Sequence, residues 1–427
     1  MKVYRIELRR SPLLAALPVL ILVDLAVLFG RSRYWIGVWP EASVATQVVT
    51  LFLGPVLAAV SAWQAGRASR AKLPEFLLAA ARPSWQVEAA RLAATLTMGF
   101  FSYVLGAVVA AVVTFPDAGA GFLWPSYFFL GVATLTLFAA AGHLAGRYWP
   151  SPAFTPVICA LGGFVLLLSI GQGFGIFVIA GAPSETVRPL PVVLRLLLAA
   201  LLAALAVLAP EPPYKTEKLK SRPLSVRHRG AFFGVASCCL VVLASFPIGG
   251  QIQTERKSAE GEILCDRATS TAPEVCVWRE HRKYLRELTA MAARLRGVPQ
   301  SWVRTPATFY EEGLRRTSHG DLGFDIPEGH VRGAAVAMAG QVSSLSFGDC
   351  LPPGDADRAW DAVNRIDLWL EYRAMGEDPQ TADEGMHVTG VGDAQEAAAH
   401  AAQLPENDQR IWVSREREQL RKVGCAA

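Results

Sequence analysis

PLLAALPVLILVDLAVLFG, the stretch from Pro12 to Gly30, runs for nineteen residues with a single ionisable side chain, Asp24. As a helix it would be about 28 Å long, close to the roughly 30 Å hydrocarbon core of a bilayer. Lys2, Arg5, Arg9 and Arg10 precede it, as they would a signal peptide. No small-residue cleavage site follows, and six more apolar runs do, so it reads as a retained membrane helix. Those runs lie at about Ser43–Trp63, Ala89–Phe115, Ser126–Ala145, Ala153–Ala180, Pro191–Ala209 and Ala231–Gly249. Pro18, Pro55 and Pro156 fall inside runs. A membrane helix tolerates them because neighbouring helices or waters satisfy the freed carbonyls.

Composition agrees. Of 427 residues, 52% are hydrophobic and 18% charged, too apolar a balance for most soluble chains of this size. The net charge of +4 hides an asymmetry. Met1–Gly250 carries 20 basic and 9 acidic residues, whereas Gln251–Ala427 carries 21 basic and 28 acidic. No block of like charge resembles a nucleic-acid-binding arm, so no nucleic-acid partner is expected. The lipid bilayer is.

Basic residues in the loops predict sidedness. Sixteen fall at the N-terminus, between the second and third runs, between the fourth and fifth, and between the sixth and seventh; only Arg31, Arg33 and Arg188 fall in the alternate loops. The expectation is a multi-pass protein of the plasma membrane, N-terminus cytoplasmic, C-terminal domain extracytoplasmic. Only an odd number of spans allows this. Between Gly162 and Ala209 a re-entrant hairpin is an alternative to a simple turn.

Cysteine placement is an independent test. Cys159, Cys238 and Cys239 lie in apolar runs, as small apolar fillers. Cys265, Cys276, Cys350 and Cys425 all lie in the expected outer domain, and an even number in an oxidising compartment reads as two disulfides. Three pairings exist. Cys265 with Cys276 and Cys350 with Cys425 is preferred, since the first closes a short loop.

In the polar half, Val277–Arg296 is expected to be a helix with Trp278, Leu285, Leu288, Ala292 and Leu295 on one face, ended by Gly297 and Pro299. Asp355 can cap a second, with Trp360, Val363, Ile366 and Leu370 inward and Gly376 at its end. A third is expected over Glu406–Lys422, and His330–Phe347 reads as a strand or two. The fold class is therefore an all-α polytopic membrane bundle of about seven transmembrane helices, followed by a mostly helical α+β soluble domain. Residues 1–210 form a six-helix domain, 211–230 a basic cytoplasmic loop, 231–249 the seventh span and 250–427 the outer domain.

Catalytic signatures are missing from the sequence. It holds no G-x-x-x-x-G-K-[ST], H-E-x-x-H or G-x-S-x-G, and His319, His330, His387 and His400 lack metal-ligand spacing, so neither catalytic nor metal residues are assigned. Glu280-His281 reads as the solvated face of a helix. The Gly171–Gly175 segment reads as close packing or a break in the fifth helix. Asp24 is the intramembrane polar residue, expected to make a structural hydrogen bond or to line a substrate path. His143, near the end of the fourth run, reads as interfacial.

The most specific segment joins the second and third runs: RASRAKLPEFLLAAARPSWQV, Arg67–Val87. Pro74 suits a helix start, Leu73 and Leu77 share a side, and Arg82-Pro83 stops it. This segment resembles the coupling loop of the type-2 (exporter-class) ABC transporter permeases. In that loop an acidic position is followed by Leu-Leu, a small residue, a Thr-Pro step and an Arg-Trp. Glu75, Leu77, Leu78, Ala79 and Trp85 match in spacing, and Arg91 stands where a basic residue usually opens the third span. Ala81 stands where proline is usual, and Pro83 comes two positions later. Tyr4–Pro12 likewise resembles the amphipathic elbow helix before the first span, and Arg147–Pro152 a tight fourth-to-fifth loop. Span seven and the outer domain look like a module added in permease-like proteins of high-GC bacteria, a genome type consistent with 33 Arg against 8 Lys.

The resemblance implies a permease subunit, not an enzyme, paired with a second permease copy or paralogue. It also implies a separate cytoplasmic ABC ATPase that carries the ATP and Mg, leaving no cofactor in this chain. Glu75, Leu77, Leu78, Arg82 and Trp85 would be the ATPase-coupling residues. The rival reading is a membrane-anchored extracytoplasmic binding or sensor protein without transport activity.

Overall fold

The computed structural model describes residues 2–30, 35–70, 84–118, 121–210, 226–249, 251–257, 262–315, 323–326, 331–347, 356–376 and 392–422. The chain divides into two compact units, one of residues 1–181 with 185–254, the other of 182–184 with 255–427.

The first unit is helical. A short α1 (Lys2–Arg9) leads through Ser11 into α2 (Pro12–Phe29). Ser11 caps α2 by accepting the Leu13 amide, and Pro12 occupies a first-turn position that has no helical hydrogen bond to lose. α3 (Trp39–Val48) continues into α4 (Thr50–Arg70), so this run starts earlier than its hydropathy suggests. Then come α5 (Ser84–Ala118), α6 (Pro125–Tyr148), α7 (Phe154–Ile170), α8 (Pro189–Leu208), α9 (Val226–Ala244) and the single turn α10 (Phe246–Gly249). At 35 residues α5 is about 52 Å long, well beyond the roughly 30 Å an apolar core requires.

Among the described residues, five helical stretches are long and apolar enough to cross a membrane: Pro12–Phe29, Trp39–Arg67, Ser84–Ala118, Pro125–Tyr148 and Pro189–Leu208. The other two expected spans correspond to shorter apolar helices, Phe154–Ile170 and Gly230–Ala244. The run that begins at Ala153 does not continue as a helix to Ala180. It stops at Ile170, and Gly175 adopts a φ of +61°.

α4 and α6 approach unusually closely. A Cβ on Gly142 would lie 2.0 Å from the Ala58 carbonyl oxygen, and one on Gly146 2.0 Å from that of Ala62. The spacing Gly142-x-x-x-Gly146 against Ala58-x-x-x-Ala62 puts small residues on both facing ridges, which lets backbones touch where lipid provides no hydrophobic drive. At the far end of the bundle an aromatic girdle forms. Trp39 stacks on Phe122 and meets Phe115 edge-on, and Trp124 stacks on Tyr127. Such rings favour the level of the headgroups. β1 (Glu185–Val187) pairs there with β2 (Gln253–Glu255), and Gln253 Nε2 donates to Tyr127 Oη, the Ala180 carbonyl and Glu185 Oε2.

In the second unit, β3 (Ile263–Asp266), β4 (Glu274–Trp278) and β5 (Thr308–Tyr310) form a mixed sheet with β4 central. β3–β4 is antiparallel with Cys265 opposite Cys276, and a disulfide joins them. Closing a loop of 11 residues is worth about 3 kcal/mol in the chain-entropy account. Cys350 and Cys425 lie outside the described residues.

The expected helix over Val277–Arg296 divides. Val277 and Trp278 belong to β4, a 3₁₀ turn covers Arg279–Tyr284, and α11 (Leu285–Gly297) begins only then. Pairing on both edges of β4, with Trp278 fully buried, overrides the helical spacing. α12 (Val331–Phe347) is a helix where strands were expected: Ala334, Ala335, Met338, Ala339 and Val342 are buried at helical spacing, and alanine favours helix. α13 (Ala356–Met375) ends at Gly376, whose φ of +67° is the left-handed conformation that terminates helices, as its position suggested. Asp355 lies outside the described residues. α14 (Gly392–Gln403) and α15 (Glu406–Lys422) complete the unit.

One ionisable group in α13 predicts a pH dependence. Burial pushes the Asp367 carboxyl up to about 6, while a hydrogen bond with Ser343 pulls the other way. Because the folded state holds this proton more tightly than the unfolded chain, its contribution is complete below about pH 4 and is lost as pH rises through about 6. The second unit should therefore lose on the order of 2–3 kcal/mol between those limits. Thermal unfolding of Asp367→Asn should lack that component; an identical slope in the variant would assign it to other groups.

Candidate functional site

The sequence directs attention to residues 71–83, and the described helices that flank them converge on a buried polar knot. Glu7 of α1 takes a hydrogen bond from Arg67 Nη2 at 2.9 Å, near the end of α4. Its other oxygen lies 3.7 Å from Arg91 Nε of α5. Arg91 Nη1 also donates to Glu88 Oε1 at 2.8 Å, and Glu88 Oε2 meets His143 Nε2 of α6 at 2.9 Å. His143 is fully buried. One turn on, Arg147 Nη1 donates to the Ala206 and Val207 carbonyls, which close the C-terminal end of α8. A cation there also complements the helix dipole.

A neutral layer lies beside these charges. Gln64 Nε2 donates to Ser11 Oγ at 3.0 Å, and Thr95 Oγ1 donates to Gln64 Oε1 at 3.3 Å. Tyr4 Oη and Thr97 Oγ1 are 2.9 Å apart. The elbow before α2 is thus pinned to both helices that lead into and out of residues 71–83. The ends brought together (α1, the C-termini of α4, α6 and α8, and the N-terminus of α5) flank the loops rich in basic residues.

Alternating charge makes the knot compact. Two arginines and a histidine surround two carboxylates, so each buried charge faces an opposite or a dipolar partner. Removing water strengthens each contact, and Arg supplies a planar fork that leaves little freedom of geometry. The arrangement ties α1, α4, α5 and α6 together through their side chains.

A second polar cluster holds the break after α7. The Phe174 carbonyl accepts from Arg195 Nη2 at 2.6 Å and from Nε at 3.2 Å. The Ile176 carbonyl accepts from Thr134 Oγ1 and Gln47 Nε2, and the Val178 amide donates to Gln47 Oε1. Irregular backbone at membrane depth persists only where its polar groups are satisfied like this. The Arg195 guanidinium also lies 4.1 Å from the centre of the Phe246 ring. A Cβ on Gly175 would come within 2.9 Å of Arg195 Nη2, so glycine serves both the turn and the approach of the cation.

Of the sequence-predicted coupling residues, Trp85 is in the first turn of α5 with its side chain exposed. Glu75, Leu77, Leu78 and Arg82 lie outside the described residues. Asp24 is buried against α5, and its Oδ1 has no hydrogen-bond partner among the described residues, so the structural hydrogen bond expected for it is not made there. His143 is buried within the bundle, with Nε2 2.9 Å from Glu88 Oε2. Glu280-His281 is no solvated helical face either. His281 is fully buried with Nδ1 2.6 Å from Glu311 Oε1, and Glu280 accepts from Arg256.

Cys265, Glu274 and Cys276 place potential ligand atoms within 4.8 Å of one another. With both sulfurs in the disulfide, one carboxylate is left, too few donors for a metal.

The Glu7–Arg67–Arg91–Glu88–His143 knot is not legible in the sequence, where Arg67 and Arg91 read as markers of sidedness, Arg91 also as the opening of the third run, and His143 as interfacial. The signal present in the sequence is Glu88, an acidic residue beside a membrane run, where a carboxylate needs a partner.

Residues 275–423 match a family described as "Domain of unknown function (DUF7224)". The matched region starts in β4 and ends just after α15, within the second unit. No curated protein and no solved structure matches the chain.

Proposed function

We propose that this chain is the membrane-spanning permease subunit of an ABC exporter, driven by a separate cytoplasmic ATPase and working with a second permease copy or paralogue. The observation that carries the reading is the knot itself. Residues resembling a coupling loop are flanked by two helices, and both are locked by ion pairs to the amphipathic helix that resembles an elbow. Such a linkage suits rigid-body transmission of ATPase closure to the spans. In this reading the knot end faces the cytoplasm of a plasma-membrane protein and the second unit lies outside.

Leu77→Asp should abolish co-purification of the ATPase and its permease-stimulated hydrolysis while leaving membrane insertion intact. An apolar anchor in such a contact typically contributes about 2 kcal/mol or more, whereas a rim charge such as Arg82 contributes less, so Arg82→Ala should be milder. Equal ATPase binding by Leu77→Asp and wild type would sink the proposal. The second reading is an anchored extracytoplasmic binding or sensor protein. It predicts that no ATPase accompanies the native protein from its own host.

A further inference from the structure

We propose that Asp24 is a proton-binding site of the membrane bundle, neutral where α2 packs on α5 and ionised when those helices part at Gly106. Asp24 sits halfway along α2 with a side chain only 3% exposed. Its Oδ1 has no hydrogen-bond partner among the described residues. The site is shaped for the carboxyl group: a Cβ on Gly106 would lie 2.5 Å from Oδ2, so only glycine leaves room for it.

No charge compensates it among the described residues. On α5, Tyr103 lies one turn from Gly106, and its hydroxyl donates to the Phe128 carbonyl. Arg91 and Asp117, also on α5, are about 22 Å and about 16 Å along the axis from Gly106. On α4, Arg67 belongs to the knot end. Glu41 of α3 is buried and engaged with another group. An ionised carboxylate so placed would be uncompensated in a medium of low polarity, whereas a neutral one is tolerated. A metal ion stripped of water would require about six oxygen ligands. Among the described residues no cluster of acidic, histidine or cysteine side chains able to hold a metal includes Asp24, so the cation assigned to it is a proton.

The helix that carries the group is free to respond. Among the described residues no side-chain hydrogen bond ties the stretch from 14 to 27 to another helix; the polar ties of α2 are at its ends, through Ser11 to Gln64 and through the Leu28 carbonyl to Trp35. Val19, Leu22 and Val23 face outward. Parting α2 from α5 would admit water to Asp24 and release its proton, so proton binding and helix packing bias one another. The proposal stands whether or not the exporter reading does.

The test uses the full-length protein in vesicles of neutral lipid and the apolar reagent dicyclohexylcarbodiimide. A protonated carboxyl adds across one C=N bond, its proton passing to nitrogen, and the acyl group then moves from oxygen to the other nitrogen to leave an N-acylurea. Peptide mass spectrometry should find this adduct on Asp24 at about pH 6, with a yield that falls at least about tenfold by about pH 9. Asp24→Asn should give no adduct in that peptide while keeping the wild-type melting temperature at low pH. A carboxyl with only a packing role would give a yield flat with pH. That result, or no adduct at Asp24 at any pH, overturns the proposal. If Asp24→Asn fails to fold, the wild-type profile alone decides.

Discussion

Gly142→Val is expected to prevent the bundle from assembling. The first carbon added would meet the Ala58 carbonyl oxygen at 2.0 Å, and the Ala58 Cα is only 2.7 Å away. These are backbone atoms of α4, which cannot turn aside as a side chain would. α4 and α6 must separate, and the contacts along both ridges go with them. A cost above about 4 kcal/mol is expected, among the largest for single substitutions. The protein should lose its monodisperse peak in detergent or melt far below wild type. Gly162→Val is the control, since nothing lies within 4 Å of a Cβ there. Equal loss in both variants would mean that β-branching within a membrane helix, not the α4–α6 approach, sets the cost.

Glu88→Ala should be the most damaging change in the knot. It strands Arg91 and the fully buried His143, both of which hydrogen-bond to the Glu88 carboxylate. Removing one partner of a buried pair costs about 3–5 kcal/mol, more than the pair contributes when intact. Glu88→Gln keeps acceptor oxygen without charge and should fall between. Combining Glu88→Ala with His143→Ala should cost less than the sum of the two, by about 1–3 kcal/mol. Strict additivity would show that the two side chains do not act together. The exporter reading adds a second outcome. With residues 71–83 intact, Glu88→Gln should still bind the ATPase but no longer stimulate it, separating docking from transmission.

These two changes differ in how far the sequence foretold them. Gly142-x-x-x-Gly146 is a visible pattern, yet it does not name Ala58 and Ala62 as its partners. Glu88 stood in plain sight, but its partner His143 comes from α6, 55 residues away in sequence.

Local chemistry let the chain itself determine a good deal. Apolar runs locate the membrane helices because crossing a bilayer is a demand on composition and length that each segment meets alone. Gly376 ends α13 and Glu406–Lys422 is a helix because capping and periodicity act over a few residues. The short loop between Cys265 and Cys276 favoured their pairing for a similar reason. Tertiary structure decided the rest. It turned Val277 and Trp278 into a strand by supplying β3 and β5 as partners, and it ended the fifth run at Ile170 because Gln47, Thr134 and Arg195 wait to satisfy the broken backbone. It buried His143 against Glu88 and left Asp24 facing a glycine. A side chain's charge state and role follow from what surrounds it, and those surroundings come from helices distant in sequence.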